Sequence, residues 1–425
     1  MSALPETASV LLLRSLVCAA FFTAAPLSHA ASPELTYHYT HHLFALRPDD
    51  YPQWRRLEEV WTYEGRNISP PAQFRVDGDA LPPLPTGFER HVRRGWDHQA
   101  IERTLQEQIA RILDRVPGSV TITRTGTGMI VFHGIGMLGR RVDIEEAASL
   151  TVQALHRSIT EIMLPVEETQ PLITVNDVAL RSQGVREVVS MGESDFRGSP
   201  AARTHNIRVG LGKLNGVLIP QGETFSFNNA LGKIDAAAGY RKELVIQGPY
   251  TLPDYGGGLC QISTTAYRGV WEYGFPIAAR KNHSFAVRYY SPVGTDATIF
   301  PPWIDVRFVN DSPGDLLIQT HEEDGRAYFI FYGTRDARET QTLGPFTWDF
   351  VDPPEDREEF TTEIPPPEKR TVSERVPGLK VVWYRTVRRL ANGDERTEEV
   401  FSGYEARGFL TQIGAPPMWL PPQRP

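Results

Sequence analysis

The stretch "YGGGLCQISTTAY", Tyr255 to Tyr267, sets three glycines and a leucine ahead of Cys260, in a chain whose one other cysteine is Cys18. After the glycines the text has helical periodicity: Leu259, Ile262, Ala266 and Val270 form one apolar stripe, and Gly274 is a natural stop. The spacing predicts Cys260 in the first turn of a helix, off the stripe, on the face of Ser263, Thr264 and Tyr267. A helix N-terminus carries partial positive charge and unpaired N–H groups, and both stabilise a thiolate relative to an ordinary thiol, which titrates near about 8.5. Gly256, Gly257 and Gly258 permit positive φ and close backbone approach, so N–H groups from there to Gln261 can converge on one oxygen, as an oxyanion hole requires. The bland alternative is a tight strand-to-helix connection beside a cysteine packed as a small hydrophobe.

A nucleophilic thiol needs a base, and His283 in "ARKNHSFAVRYY" is the natural candidate. From Gly274 the chain takes nine residues to arrive at His283 and reaches at most about 30 Å extended, while the helix back to Cys260 spans roughly 20 Å. The chain can therefore return along the helix and set the two side by side. A third group must orient the imidazole. Asn282, Asp296 and Asp305 are all open, with Asp296 preferred because a turn after the strand brings it back. Arg203, Arg241 and Arg280 are candidates for binding a substrate carboxylate, with Ser263 and Thr264 as further substrate contacts. The "YHYTHH" run (His38, His41, His42) has no acidic or cysteine partner nearby. It is expected as an exposed polar start of a strand, and no metal or cofactor is expected.

Around this motif the chain divides by texture. Residues 31–90 form an aromatic, proline-rich, strand-like segment. In residues 91–190, an α+β unit, Asp97 caps a helix with Ile101, Leu105, Ile109 and Ile112 on one face. Asp143 and Glu146 open a second helix that buries Leu150, Ala154 and Leu155. Residues 196–204 read as a linker into a helix, "HNIRVGLGKLNG", and the text from "FAVRYY" onward as a β meander ending in "AYFIFYG". Residues 336–425 hold a proline-rich strap and a hairpin, "LKVVWYRTVRRL" with "ERTEEVFSGY". The expected class is α+β and multi-domain, with a β-rich domain over 195–335 that carries the cysteine at a helix N-terminus.

The first 30 residues read as a cleaved secretory signal, the alternative being an uncleaved anchor. With the signal gone, Cys260 is the only cysteine and an internal disulfide is impossible. A net charge of -8 over 425 residues offers no basic footprint for nucleic acid.

"PQGETFSFNNALG", "YGGGLCQISTTAY", "RKNHSFAVRYY" and "GTDATI" occur in order and closely spaced, and together they resemble the VanW family. Upstream, the segment from "GRRVDIEEAASL" to "PLITVND" resembles the peptidoglycan-binding domain that often precedes a VanW domain. The resemblance implies cell-wall work: L,D-transpeptidation through Cys260, with His283 and Asp296 matching the family's "NHS" and "DAT" positions. It also implies peptidoglycan stem peptides and glycan as partners. Two rivals remain from the sequence. One is a cysteine peptidase in which water replaces the amine acceptor. The other is a peptidoglycan-binding protein in which Cys260 is merely packed.

Overall fold

A computed structural model describes residues 33–69, 86–247 and 250–416. The expected signal segment and Cys18 lie outside them, and no helix among the described residues is long and apolar enough to cross a membrane. Helices and many short sheets are mixed along the chain.

The N-terminal hairpin pairs Leu35–Tyr39 with His42–Leu46. It shares a core with helices His98–Leu105 and Ile144–Arg157, through Leu35, Tyr37, Ile101, Leu105, Ala147 and Ala154. Asp97 and Asp143 each accept the N–H three residues on, from Ala100 and Glu146, as N-caps should. The first helix departs from expectation after Leu105. A π-turn over Gln106–Ala110 widens the spiral, so Leu113 turns inward while Ile112 is 49% exposed.

The site is built on a four-stranded antiparallel sheet ordered Glu187–Asp195, Arg326–Gly333, Leu316–Glu323 and Leu218–Ile219. Its alternating side chains serve two cores. Leu317, Tyr328, Ile330 and Tyr332 pack with Val120 and Ile122 of the upstream region. Leu316, Ile318, Phe329 and Phe331 pack with the helix Leu259–Tyr273. That helix comes very close to the edge strand, because a Cβ on Gly192 would collide with Thr265 O and a Cβ on Gly269 with Gly192 N. A second helix, Ala201–Leu214, packs across it. It begins four residues earlier than the sequence suggests, with Pro200 at its N-cap, so the expected linker is shorter.

"FAVRYY" is not a strand. Phe285 and Tyr290 are buried, and Arg288–Tyr290 closes into a 3-10 turn. The C-terminal hairpin forms as expected, Gly378–Arg389 with Glu395–Tyr404. It joins the core around the Cys260 helix through Leu379, Val381, Trp383 and Tyr404. Trp383 meets Trp271 edge-on at 5.9 Å. Arg385 donates to the carbonyls of Trp271 and Phe275, placing a cation at the helix C-terminus where the dipole favours it.

Candidate active site

The strand Tyr250–Tyr255 runs out of a hairpin into Gly256, Gly257 and Gly258, and the helix Leu259–Tyr273 starts at once with Gly258 as N-cap. Gly256 and Gly258 have φ of +86° and +110°. A Cβ on any of the three would press on Ile234, Glu243 or Arg203, so space demands glycine at all three and the backbone demands it at Gly256 and Gly258. Cys260 therefore sits in the first helical turn. It is half-buried, its Sγ 3.3 Å from Thr298 Oγ1 and 3.8 Å from Ile299 O.

His283 arrives from the chain beyond the helix, as its reach allows. Its Nδ1–H donates to Asp296 Oδ2 at 2.5 Å, and its backbone N–H donates to the same oxygen at 2.8 Å. Tyr290 stacks on the imidazole at 4.5 Å between centroids. Asp296 is held from the other side: Tyr404 donates its hydroxyl to Oδ1, and Arg280 reaches Oδ1 at 3.4 Å and the Asp296 carbonyl at 2.7 Å. Nε2 of His283 is buried and has no aligned hydrogen-bond partner among the described residues. Cys260 is nonetheless near enough for the two groups to shift one another. Burial disfavours the imidazolium, but Asp296 and the thiolate outweigh it and raise His283 to about 9. Burial likewise pushes the thiol up, yet His283 and Thr298 bring it below its ordinary value. Burial works against the Asp296 charge too, and His283 and Arg280 still hold its carboxyl far below the usual range. All three directions favour a thiolate–imidazolium pair braced by a carboxylate.

Residues 202–332 match the family model described as "VanW like protein". This segment belongs to the VanW family. Two curated relatives show similarity. One is the "Uncharacterized protein YoaR" of Bacillus subtilis, 31% identical over 139 residues, which is 33% of this chain and 46% of that protein. The other is the "Vancomycin B-type resistance protein VanW" of Enterococcus faecalis, 30% identical over 115 residues, or 26% of this chain and 42% of that protein. The matches thus span less than half the length of either relative. Cys260, His283, Asp296 and Arg280 lie inside the VanW segment, whereas Tyr404 lies outside it.

Within the VanW segment, the remaining candidates fall into different places. Of the three possible orienting groups, Asp296 touches the histidine ring. Asn282 donates to the carbonyls of His283 and Gly403, and Asp305 accepts from Ser226 and the Asn228 N–H. Ser263 and Thr264, expected to meet substrate, are fully buried with hydroxyls turned to Ala297. They fix the irregular segment that presents Asp296 and Thr298. Arg280, also expected at the substrate, is buried and spent on Asp296, Gly294 and Ser402. Arg203 lies at the site, but its guanidinium donates to Gln261 Oε1 and Ser199 and stacks over Tyr289 at 4.2 Å.

The glycine-loop donors also divide. Gly256 N–H goes to Arg241 O, Leu259 N–H to Gly256 O and Gln261 N–H to Gly258 O, so Gly256 and Gln261 offer no free donor. The N–H groups of Gly257, Gly258 and Cys260 have no protein acceptor among the described residues. Asn206 clamps the loop by donating to Gly257 O and Arg241 O.

The three histidines near the N-terminus are a correction. His38 and His41 are 4% and 5% exposed, and each of the three has an acidic partner from far along the chain. His38 meets Glu161, His41 meets Glu272 at 2.6 Å, and His42 meets Glu193 at 2.6 Å. Glu193 in turn holds Arg115 and Arg140, both at 3.0 Å. Burial raises Glu272 to about 8 and lowers His41 well below the ordinary imidazole, so this pair is neutral near pH 7. Glu272 lies on the Cys260 helix, which ties the N-terminal hairpin to the site's main element.

Proposed function

We propose that this chain is an exported cell-wall enzyme, a cysteine L,D-transpeptidase that joins peptidoglycan stems through an acyl-enzyme on Cys260. The observation that carries the reading is the constellation itself. A thiol in the first turn of a helix lies beside a buried imidazole whose Nδ1 is locked to a carboxylate and whose Nε2 has no hydrogen-bond partner among the described residues. Membership of the VanW family and the vancomycin-resistance name of one relative support a cell-wall setting. The signal-like first 30 residues support export.

In this reading the Cys260 thiolate attacks the carbonyl of the third residue of a tetrapeptide stem. The developing oxyanion meets the open N–H groups among Gly257, Gly258 and Cys260. Imidazolium Nε2–H passes its proton to the departing D-alanine nitrogen as the C–N bond breaks, leaving a thioester and neutral His283. The side-chain amine of a second stem then resolves the thioester. The upstream region would hold glycan nearby.

The test is mass spectrometry of purified tetrapeptide muropeptides incubated with the protein and with Cys260→Ala. D-alanine release with a new 3-3 dimer, absent from the variant, is the expected result. Release without dimer would make the enzyme a peptidase. No change with folded protein would refute catalysis on these substrates.

A further inference from the structure

His283 borders two cavities rather than one. The first, of about 290 Å³, contains Cys260 and has a mainly apolar wall that includes Leu244, Val245 and Phe285. The second, of about 570 Å³, is lined by Lys281, Asn282, His283, Thr298, Phe300 and Glu405 among others. Thr298, 3.3 Å from the Cys260 sulfur, lines this second space, and Ile246 and His283 line both. Lys281 and Glu405 are exposed at its rim, and neither the ammonium nor the carboxylate has a partner among the described residues. Their backbones, in contrast, are fixed. Lys281 O accepts from Thr298 N–H at 2.8 Å, and Glu405 N–H donates to Ser284 O at 2.7 Å.

We propose that this second cavity is the subsite for the amine partner of acyl transfer, and that it takes a primary amine whose own carbon carries a carboxylate. The proposal rests on the acyl-transfer reading above. A single imidazole nitrogen must give a proton to the leaving nitrogen and take one from the attacking nitrogen. By microscopic reversibility both nitrogens therefore occupy the same side of the acyl carbonyl. The Cys260 cavity holds the acyl stem, and the other cavity that His283 borders receives the amine. The Lys281 ammonium pairs with the carboxylate, of departing D-alanine first and of the incoming group next. Glu405 attracts the arriving ammonium, which gives its first proton to solvent water before attack. The neutral amine attacks the thioester carbonyl carbon, the C–N bond forms and the C–S bond breaks. The proton leaves nitrogen for His283 Nε2, restoring the imidazolium–thiolate pair.

The test uses the full chain and a tetrapeptide donor, with isotope-labelled D-alanine and ethylamine competing as acceptors at equal concentration. Products are read by mass spectrometry as a ratio of amino-acid amide to ethylamide. That ratio does not depend on how fast the thioester forms. Lys281→Ala should lower it about tenfold, the scale of losing one charge-assisted contact, because ethylamine has no carboxylate to lose. Glu405→Gln should shift the acyl-enzyme from both amines toward water. If a thioester forms on Cys260 but both variants partition as the parent does, the subsite assignment is wrong and the acyl-transfer reading stands. If the parent forms no thioester, the acyl-transfer reading fails and this assignment falls with it.

Discussion

Asp296→Asn isolates the group that sets the charge of His283. The imidazole is raised to about 9 against an ordinary value of 6.5, a difference of about 2.5 units or roughly 3 kcal/mol. Burial works against that rise, and the hydrogen bond to Asp296 is the largest single contribution opposing it, with Cys260 next. An amide of the same shape leaves the burial and the Cys260 thiolate but removes the carboxylate charge, so the imidazole should fall toward its ordinary 6.5. At pH 7.5 a group titrating at 9 is about 97% protonated, whereas one at 6.5 is about 9% protonated. The imidazolium that holds the thiolate thus drops about tenfold. The assay is the rate of iodoacetamide labelling of the Cys260 peptide, quantified by mass spectrometry from pH 5 to 10. The variant should label about tenfold slower near pH 7.5 and converge with the parent above pH 9, where the thiol ionises unaided. Coincident profiles across the range, with the variant folded, would refute the thiolate–imidazolium pair.

Tyr404→Phe removes a donor to a buried carboxylate and the acceptor of Gly294 N–H. A loss of about 1–3 kcal/mol in denaturant melts is expected. Gly258→Ala forces a side chain to φ +110° against Arg203 Cγ at 2.9 Å, and should cost more than about 2 kcal/mol while slowing Cys260 labelling. The Cys260–His283 pair also has a pH signature. A raised imidazole gives stability that is full below its unfolded value and lost as pH rises through about 9. A depressed thiol gives stability that is full above its unfolded value and lost as pH falls through its folded one. In a Glu272→Gln background, which removes the overlapping carboxyl slope, the coupled pair should therefore give a melting plateau between roughly pH 6.5 and 8.5, with both limbs flattened when Cys260→Ala is added. Glu272, raised to about 8, carries stability present below its unfolded value and lost as pH climbs through 8. Glu272→Gln should remove that slope and leave the neutral contact to His41 in place.

What the sequence made legible was local. The stripe Leu259, Ile262, Ala266 and Val270 marked the helix, its glycine stop marked the end, and chain reach allowed His283 to return. Hairpins announced themselves by alternation and turns. What was illegible came from distance. Nothing near "YHYTHH" indicated that Glu161, Glu193 and Glu272 would close over it, because those partners are more than a hundred residues away. Ser263 and Thr264 looked available because the face opposite an apolar stripe is normally wet. This helix is buried on nearly every side, so the polar face meets Ala297 instead of a ligand. Arg280 was misplaced for the same reason: a surface-like arginine became the brace of a buried aspartate.

The family match ends at residue 332, yet the site does not. Asp296 has two oxygens, and only Oδ2 touches His283. Its Oδ1 is satisfied by Arg280 from within the matched segment and by Tyr404 from the C-terminal hairpin. The same hairpin supplies Trp383 against Trp271, and Arg385 on the carbonyls that end the Cys260 helix. A buried carboxylate with one lone-pair face unpaired would pay a desolvation cost and lose its fixed orientation. The imidazole it steers would lose orientation with it. The C-terminal hairpin is therefore better understood as the back wall of the thiol site than as an appended module. Residues 202–332 hold the atoms that would react, and residues outside them help hold those atoms still.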